Sequence, residues 1–308
     1  MPVSSSVGSR PVLMAAAGAT CIAFSGILVR LADVPPATAA MFRCAYAVPA
    51  LGALALWEGR RYGPRDRDQR MLALLAGVFF AIDLVLWHHS IAAVGAGLAT
   101  VLGNVQVVLV PIAAWLLLAE RVEAHVIAAV PVVMSGVVLI SGVTGGDAYG
   151  DDPVLGVVFG LGTAVAYSAF LLILRAGNRD MRRPAGPLFD ATLAAAVGSA
   201  VIGWPLGEID VTLPWSAHAW LIALALSSQV LGWLLISFSL PRVPAAVTSV
   251  VLTLQPVMSV GLAMVLLDEA PSSVQIAGVA VVLTGILLAT VGSARRRAAQ
   301  AEPVADLT

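Results

Sequence analysis

A chain of 308 residues that is 59% hydrophobic and 11% charged, with a mean hydropathy of +0.94, falls outside the soluble globular class, where charged residues make up roughly 25%. Its 17 basic and 18 acidic side chains leave a net charge of -1, which gives no electrostatic footing for a nucleic-acid partner. Every basic residue is arginine, so a retinal or pyridoxal Schiff base and a Walker-type phosphate loop, all of which need lysine, are excluded.

Ten stretches reach the about 20 apolar residues that a bilayer span requires. In chain order they are Val12 to Leu31, Pro36 to Trp57, Met71 to Ser90, Val94 to Leu118, Val122 to Ser141, Val154 to Leu174, Ala185 to Leu206, His218 to Leu240, Ala245 to Leu267 and Val274 to Val291. Met1 to Arg10 could pass for the charged region of a signal peptide, but no small-residue cleavage site precedes a soluble mature chain, so the first stretch is expected to be retained. Cys21 and Cys44 lie within apolar runs, without disulfide or metal-ligand spacing, and are expected to pack. The Gly- and Asp-rich connection Gly142 to Pro153 reads as an exposed boundary, and the polar tail after Arg297 as disordered.

Arginine bias sets the expected orientation. With the N-terminus in the cytoplasm, Arg10, Arg60, Arg61, Arg65, Arg67, Arg70, Arg121, Arg175, Arg179, Arg182, Arg183, Arg242 and Arg295 to Arg297 fall inside. The outer loops then hold mostly acids, among them Asp33, Asp147, Asp151, Asp152, Glu208, Asp210, Asp268 and Glu269. Arg30 is the exception outside, and Arg43 lies within a span.

The chain also repeats itself. At an offset of 149, Val94, Ala96, Val101, Gln106, Glu120 and Gly136 fall on Val243, Ala245, Val250, Gln255, Glu269 and Gly285. At an offset of 143, Thr20, Ala23, Ser25 and Leu28 fall on Thr163, Ala166, Ser168 and Leu171, with Phe24 on Tyr167. A duplication of five helices, an odd number, puts the second copy in the membrane upside down. The expected fold is an all-α integral membrane protein of ten transmembrane helices in two inverted five-helix repeats, residues 12–141 and 154–291, with a cytoplasmic tail over 292–308.

Pro256 in mid-span, Glu269 thirteen residues later, then Gln275, Gly278 and Gly285, with Arg43, Trp87, Glu120 and Gly136 in the first half, resemble the EamA-type domain of the drug/metabolite transporter superfamily. One departure is Val107 where the second half has Pro256, with a proline at Pro111 instead. The resemblance implies ten helices, cytoplasmic termini and export or uptake of small metabolites, commonly amino acids or related compounds.

Ionisable groups inside spans are functional candidates, because an unpaired charge in hydrocarbon is costly. Arg43 and Asp83 lie at matching depth, roughly 10 Å below the outer boundary. They form either a structural ion pair or a substrate and proton site in which Asp83 titrates and Arg43 holds its charge or a substrate carboxylate. Trp87 follows Asp83 by one helix turn, and Gln229 with Trp233 repeats that spacing, outlining a chamber. His88 and His89 are expected in a hydrated interfacial position, with a proton relay through one of them as the alternative. Asn104, Gln106 and Gln255 sit mid-helix as interhelical amides or cargo ligands, while Tyr46, Tyr167, Ser25 and Ser168 are weaker candidates. Asp190 is expected to meet Arg182 or Arg183. Glu120 and Glu269 are read as structural, with a partner such as the N-terminus of the following helix, and Gly156, Gly160 and Gly162 as sites of close helix packing.

The function expected is that of a secondary transporter, an exporter of small metabolites across the inner membrane by alternating access, with protons as the coupling ion. Its partners are the small-molecule substrate and membrane lipid; no cofactor, metal or nucleic acid is called for. The alternatives are a gradient-independent facilitator, a membrane-embedded enzyme, for which no HExxH helix is present, and a receptor, for which a large soluble sensing segment is lacking.

Overall fold

The computed structural model describes the backbone of residues 9–144, 147–178, 180, 182–239 and 245–301, and the side chains of 10–144, 147–178, 180, 182–239 and 253–290. The repeat positions Val243, Ala245 and Val250, the arginines Arg179, Arg242 and Arg295 to Arg297, and the far tail beyond Ala301 therefore lie outside the described residues or side chains.

Every regular element among the described residues is helical. Eight helices are long and apolar enough to cross a membrane: α1 Arg10–Ala32, α2 Pro36–Tyr62, α3 Arg67–Val94, α4 Ala96–Leu118, α6 Pro153–Gly177, α7 Ala185–Leu206, α8 Trp215–Ser239 and α10, of which Ser273–Thr290 is the apolar part. Two more, α5 Ala124–Ile140 and α9 with its described stretch Thr253–Leu266, are apolar but shorter. The helices start where the sequence can cap them. Pro36 and Pro153 supply fixed φ angles in the first turns of α2 and α6, and the Asp152 carboxylate accepts from the Leu155 N–H at 2.9 Å. α10 continues as helix to Ala301, so residues 298–301 of the tail expected to be disordered extend the last helix instead.

Three helices are not uniform. α1 breaks at Phe24. α4 breaks at Asn104 and Val105, one to two turns before Pro111, where the bonds tighten to Val107 N–H to Asn104 carbonyl and Val108 N–H to Val105 carbonyl, each 3.0 Å. α9 runs unbroken through Pro256, so the two halves place their irregularities differently. α8 carries a π-helical segment, Ala225–Gly232.

The packing crosses between the halves. α3 lies against α6 and α7, α2 against α7, α5 against α10, and the Ala96–Gly103 half of α4 against α9. α5 and α10 cross glycine on glycine: a Cβ at Gly136 would lie 2.7 Å from the Gly278 carbonyl oxygen, and one at Gly278 would lie 2.8 Å from that of Gly136. Gly160 of α6 meets Leu102 of α4, where an added Cβ would come within 2.6 Å of the leucine Cβ. The largest apolar cluster joins α4, α5, α9 and α10, and a second one joins α3, α6 and α7. Between these clusters a space is left.

Candidate functional site

That space is a cavity of ≈ 360 Å³ to which α1, α2, α3, α4, α6, α8 and α9 all contribute. Its lining reaches Pro111, Leu171 and Ile236, so it extends from mid-bundle toward the end where the arginines gather. α3 supplies Phe80, Asp83, Leu84 and Trp87, which recur at three- and four-residue spacing on one face. α6 supplies Thr163, Tyr167 and Leu171 by the same rule, and α4 supplies Asn104, Gln106, Val107, Val110 and Pro111 around its break.

Arg43 and Asp83 both line the cavity and are 3% and 5% exposed, yet no ion pair within 4.0 Å joins them among the described residues. Arg43 donates from Nη2 to the Gln229 side-chain oxygen at 3.2 Å, and its guanidinium carbon stands 5.8 Å from the centroid of the Trp87 ring, within cation–π range. Gln229 in turn donates to Thr192 Oγ1 at 3.1 Å. Arg43 Nε is buried without a hydrogen-bond partner, a costly arrangement unless a ligand or water completes it. One amide thus anchors one edge of the guanidinium, and the rest of it remains available.

Trp233 sits in an aromatic cage. Phe80 and Phe170 stack with centroids 4.5 Å apart, and Trp233 meets Phe80, Tyr167 and Phe170 edge-on at 6.2, 6.1 and 5.7 Å. The cavity therefore has an aromatic floor with two ionisable groups beside it. Amphipathic small molecules suit such a lining, because the apolar part is desolvated while a polar end meets a fixed charge.

Of the nine residues singled out from sequence, Arg43, Asp83, Trp87, Asn104, Gln106, Trp233 and Gln255 face this cavity, and two do not. Gln229 is fully buried behind Arg43, and Ser228 takes its place on the wall, five residues from Trp233. The π-helical turn, with its i to i+5 bonding, sets that spacing, and sequence gave no sign of it. His88 is 1% exposed and pairs its Nδ1 with the Pro36 carbonyl at 3.0 Å, so it is not in the expected hydrated position, and it does not line the cavity. His89 meets Glu208 at 2.8 Å and the Val85 carbonyl at 2.8 Å.

Other expectations also change. Asp190 pairs with Arg65 at 2.8 Å and lies 3.7 Å from Arg70, whereas Arg182 and Arg183 turn to Asp180. Hydrogen bonds from the Arg182 side chain and backbone hold the Asp180 carboxyl well below the usual carboxylate range. Glu269 accepts from the Ala96 and Gly97 N–H groups at 2.6 and 3.2 Å, the start of α4 rather than of the following helix. Glu120 meets Arg175 at 3.2 Å. Tyr46 bonds His218 at 2.7 Å, outside the cavity, and Ser168 bonds the Ala164 carbonyl, while Ser25 and Tyr167 line the wall. Sequence reasoning missed Phe80, Thr100, Thr163 and Ser228; the three-residue spacing of Phe80 from Asp83 and the four-residue spacing of Thr163 from Tyr167 were the available signal for those two.

Comparison with known proteins gives a family and a fold. The model of the EamA-like transporter family matches residues 9–142 and again residues 154–291. A solved structure described as "Crystal structure of protein" aligns over 94% of this chain and 99% of its own, at 21% identity and a TM-score of 0.61. No curated protein matches the chain.

Proposed function

The chain belongs to the EamA-like transporter family, and from that premise we propose that it is a secondary transporter that exports small metabolites, such as amino acids or related compounds, across the inner membrane. It works by alternating access of two inverted five-helix repeats, over residues 12–141 and 154–291, with both termini in the cytoplasm. The observation that carries this reading is the pair of buried, ionisable groups that line one cavity without a direct ion pair between them. Among the described residues the Asp83 carboxylate has no ion pair within 4.0 Å, its backbone carbonyl accepting from Thr163 Oγ1 at 3.4 Å, and Arg43 keeps an unpartnered Nε. Those are the two handles a zwitterionic or carboxylate-bearing substrate needs, with Trp87 and Trp233 beside them for its apolar part. Asp83 takes up and releases the coupling proton as substrate leaves and enters.

The packing pairs support the inverted arrangement. Exchange of the halves maps α3 on α6 to α8 on α1, and α4 on α6 to α9 on α1, while α2 with α7, α5 with α10 and α4 with α9 map onto themselves. The test is uptake by purified protein in liposomes, with a panel of amino acids and amphipathic metabolites, with and without an imposed pH gradient. Wild type is expected to follow the gradient, and Asp83→Asn to lose gradient-driven uptake about a hundredfold or more, the size expected from removing one proton-transfer group. Uptake that ignores the gradient and survives in the variant would make the protein a facilitator and Asp83 a packing residue.

A further inference from the structure

Four glutamates stand at corresponding ends of the two halves, and three of them do the same thing. Glu58, near the end of α2, accepts from the Ala185 and Gly186 N–H groups of α7 at 2.9 and 2.8 Å. Glu208, just beyond α7 and 150 positions later, accepts from the Ala37 N–H of α2 at 3.2 Å. Glu269, just beyond α9, accepts from Ala96 and Gly97 at the start of α4. In each case a carboxylate from one half neutralises the exposed N–H groups and positive dipole end of a helix in the other half.

The fourth glutamate breaks the pattern. Glu120 is the repeat partner of Glu269, and the same offset of 149 carries Ala96 and Gly97 onto Ala245 and Ala246 at the start of α9. Glu120 instead leaves its side chain 46% exposed and meets the exposed Arg175. α2 and α7 are thus fastened at both ends, whereas α4 and α9 are fastened at the Glu269 end. There Ser259 also donates to Thr100 Oγ1 at 3.0 Å, and a Cβ at Gly97 would lie 3.0 Å from the Val260 Cα. The cavity extends away from this fastened end.

We propose that Glu120 and Glu269 are exchanging latches, an inference that rests on the alternating-access reading above. In the conformation described, the Glu269 carboxylate holds α4 to α9 and seals the cavity on that side. In the alternate conformation Glu269 releases Ala96 and Gly97, and Glu120 leaves Arg175 to accept from the Ala245 and Ala246 N–H groups, sealing the arginine-rich end. Glu58 and Glu208 stay engaged throughout and hold α2 and α7 as the frame against which α4 and α9 move.

The test reads accessibility rather than transport. In a chain with Cys21 and Cys44 replaced by alanine, a cysteine at Val110 on the cavity wall is labelled with a membrane-impermeant maleimide applied to either face, and the ratio of the two rates is measured. Glu269→Ala is expected to shift that ratio about tenfold away from the arginine-rich face, and Glu120→Ala about tenfold toward it, in line with the loss of a charge-assisted hydrogen bond. The double variant is expected to return near the wild-type ratio, because each loss offsets the other. Where alanine lowers the yield of folded protein, the isosteric Glu269→Gln and Glu120→Gln variants, which keep an acceptor oxygen and lose the charge, are expected to shift the ratio in the same directions by less. Single variants that move the ratio the same way, or a Glu120 substitution that leaves it unchanged, overturn the latches while leaving alternating access standing. Labelling from one face alone in every variant overturns both.

Discussion

At the scale of single residues, the side chains that carry charge inside the bundle divide into those already satisfied and those left available. Asp190 belongs to the first kind: its side chain is 4% exposed, against 11% for Arg65. Removing one member of such a pair strands the other in a low-dielectric setting. Asp190→Ala is therefore expected to lower stability by about 3–5 kcal/mol, read as a drop in unfolding temperature in detergent. Arg70→Ala, whose side chain is 60% exposed at 3.7 Å, is expected to lower it by less than about 1 kcal/mol. Equal effects would mean that the Arg65 pair is not what holds α7 to the loop before α3. The acid was legible in the sequence but its partner was not, since Arg65 lies 125 positions away on a different helix connection. Arg43 and Asp83 belong to the second kind, and here too sequence indicated the residues but not their relation. Depth counted along two helices says nothing about how each helix is rotated, and the rotation hands Arg43 to Gln229.

At the scale of elements, small residues decide how closely the helices approach. Gly136 and Gly278 let α5 and α10 meet backbone to backbone, so Gly136→Leu forces the pair apart and is expected to lower stability by about 1–3 kcal/mol. Gly261 of α9 has nothing within 4 Å of an added Cβ, and Gly261→Ala is expected to leave stability unchanged or raise it by up to about 1 kcal/mol. Thermal unfolding of the two variants side by side checks both; a neutral Gly136→Leu would refute the close crossing. Helix positions were legible because apolar runs are local, and Ala185–Leu206 was read to the residue. Irregularities inside helices were less so. The α4 break precedes Pro111 rather than falling at the repeat position of Pro256, and the π-helical turn in α8 carries no marker in Ala225–Gly232 that distinguishes it from regular helix.

At the scale of the whole molecule, the orientation set by arginine bias predicts that the connections Gly63–Asp66 and Asp147–Asp152 are reached from opposite faces. An impermeant maleimide applied to right-side-out vesicles is expected to label Asp151→Cys and not Pro64→Cys; labelling of both, or of the second alone, would reverse or void the orientation. Membrane embedding, the number of apolar stretches and the two-fold repetition of positions such as Glu120 and Glu269 follow from the sequence by itself, because hydropathy and spacing are properties of neighbouring residues. Which polar groups meet, which face a common cavity and which helix end each glutamate caps were decided by the tertiary structure. Helix rotation, a π turn and glycine-mediated contact fix those relations across 100 or more positions, and a one-dimensional pattern does not encode the angle at which two helices face each other.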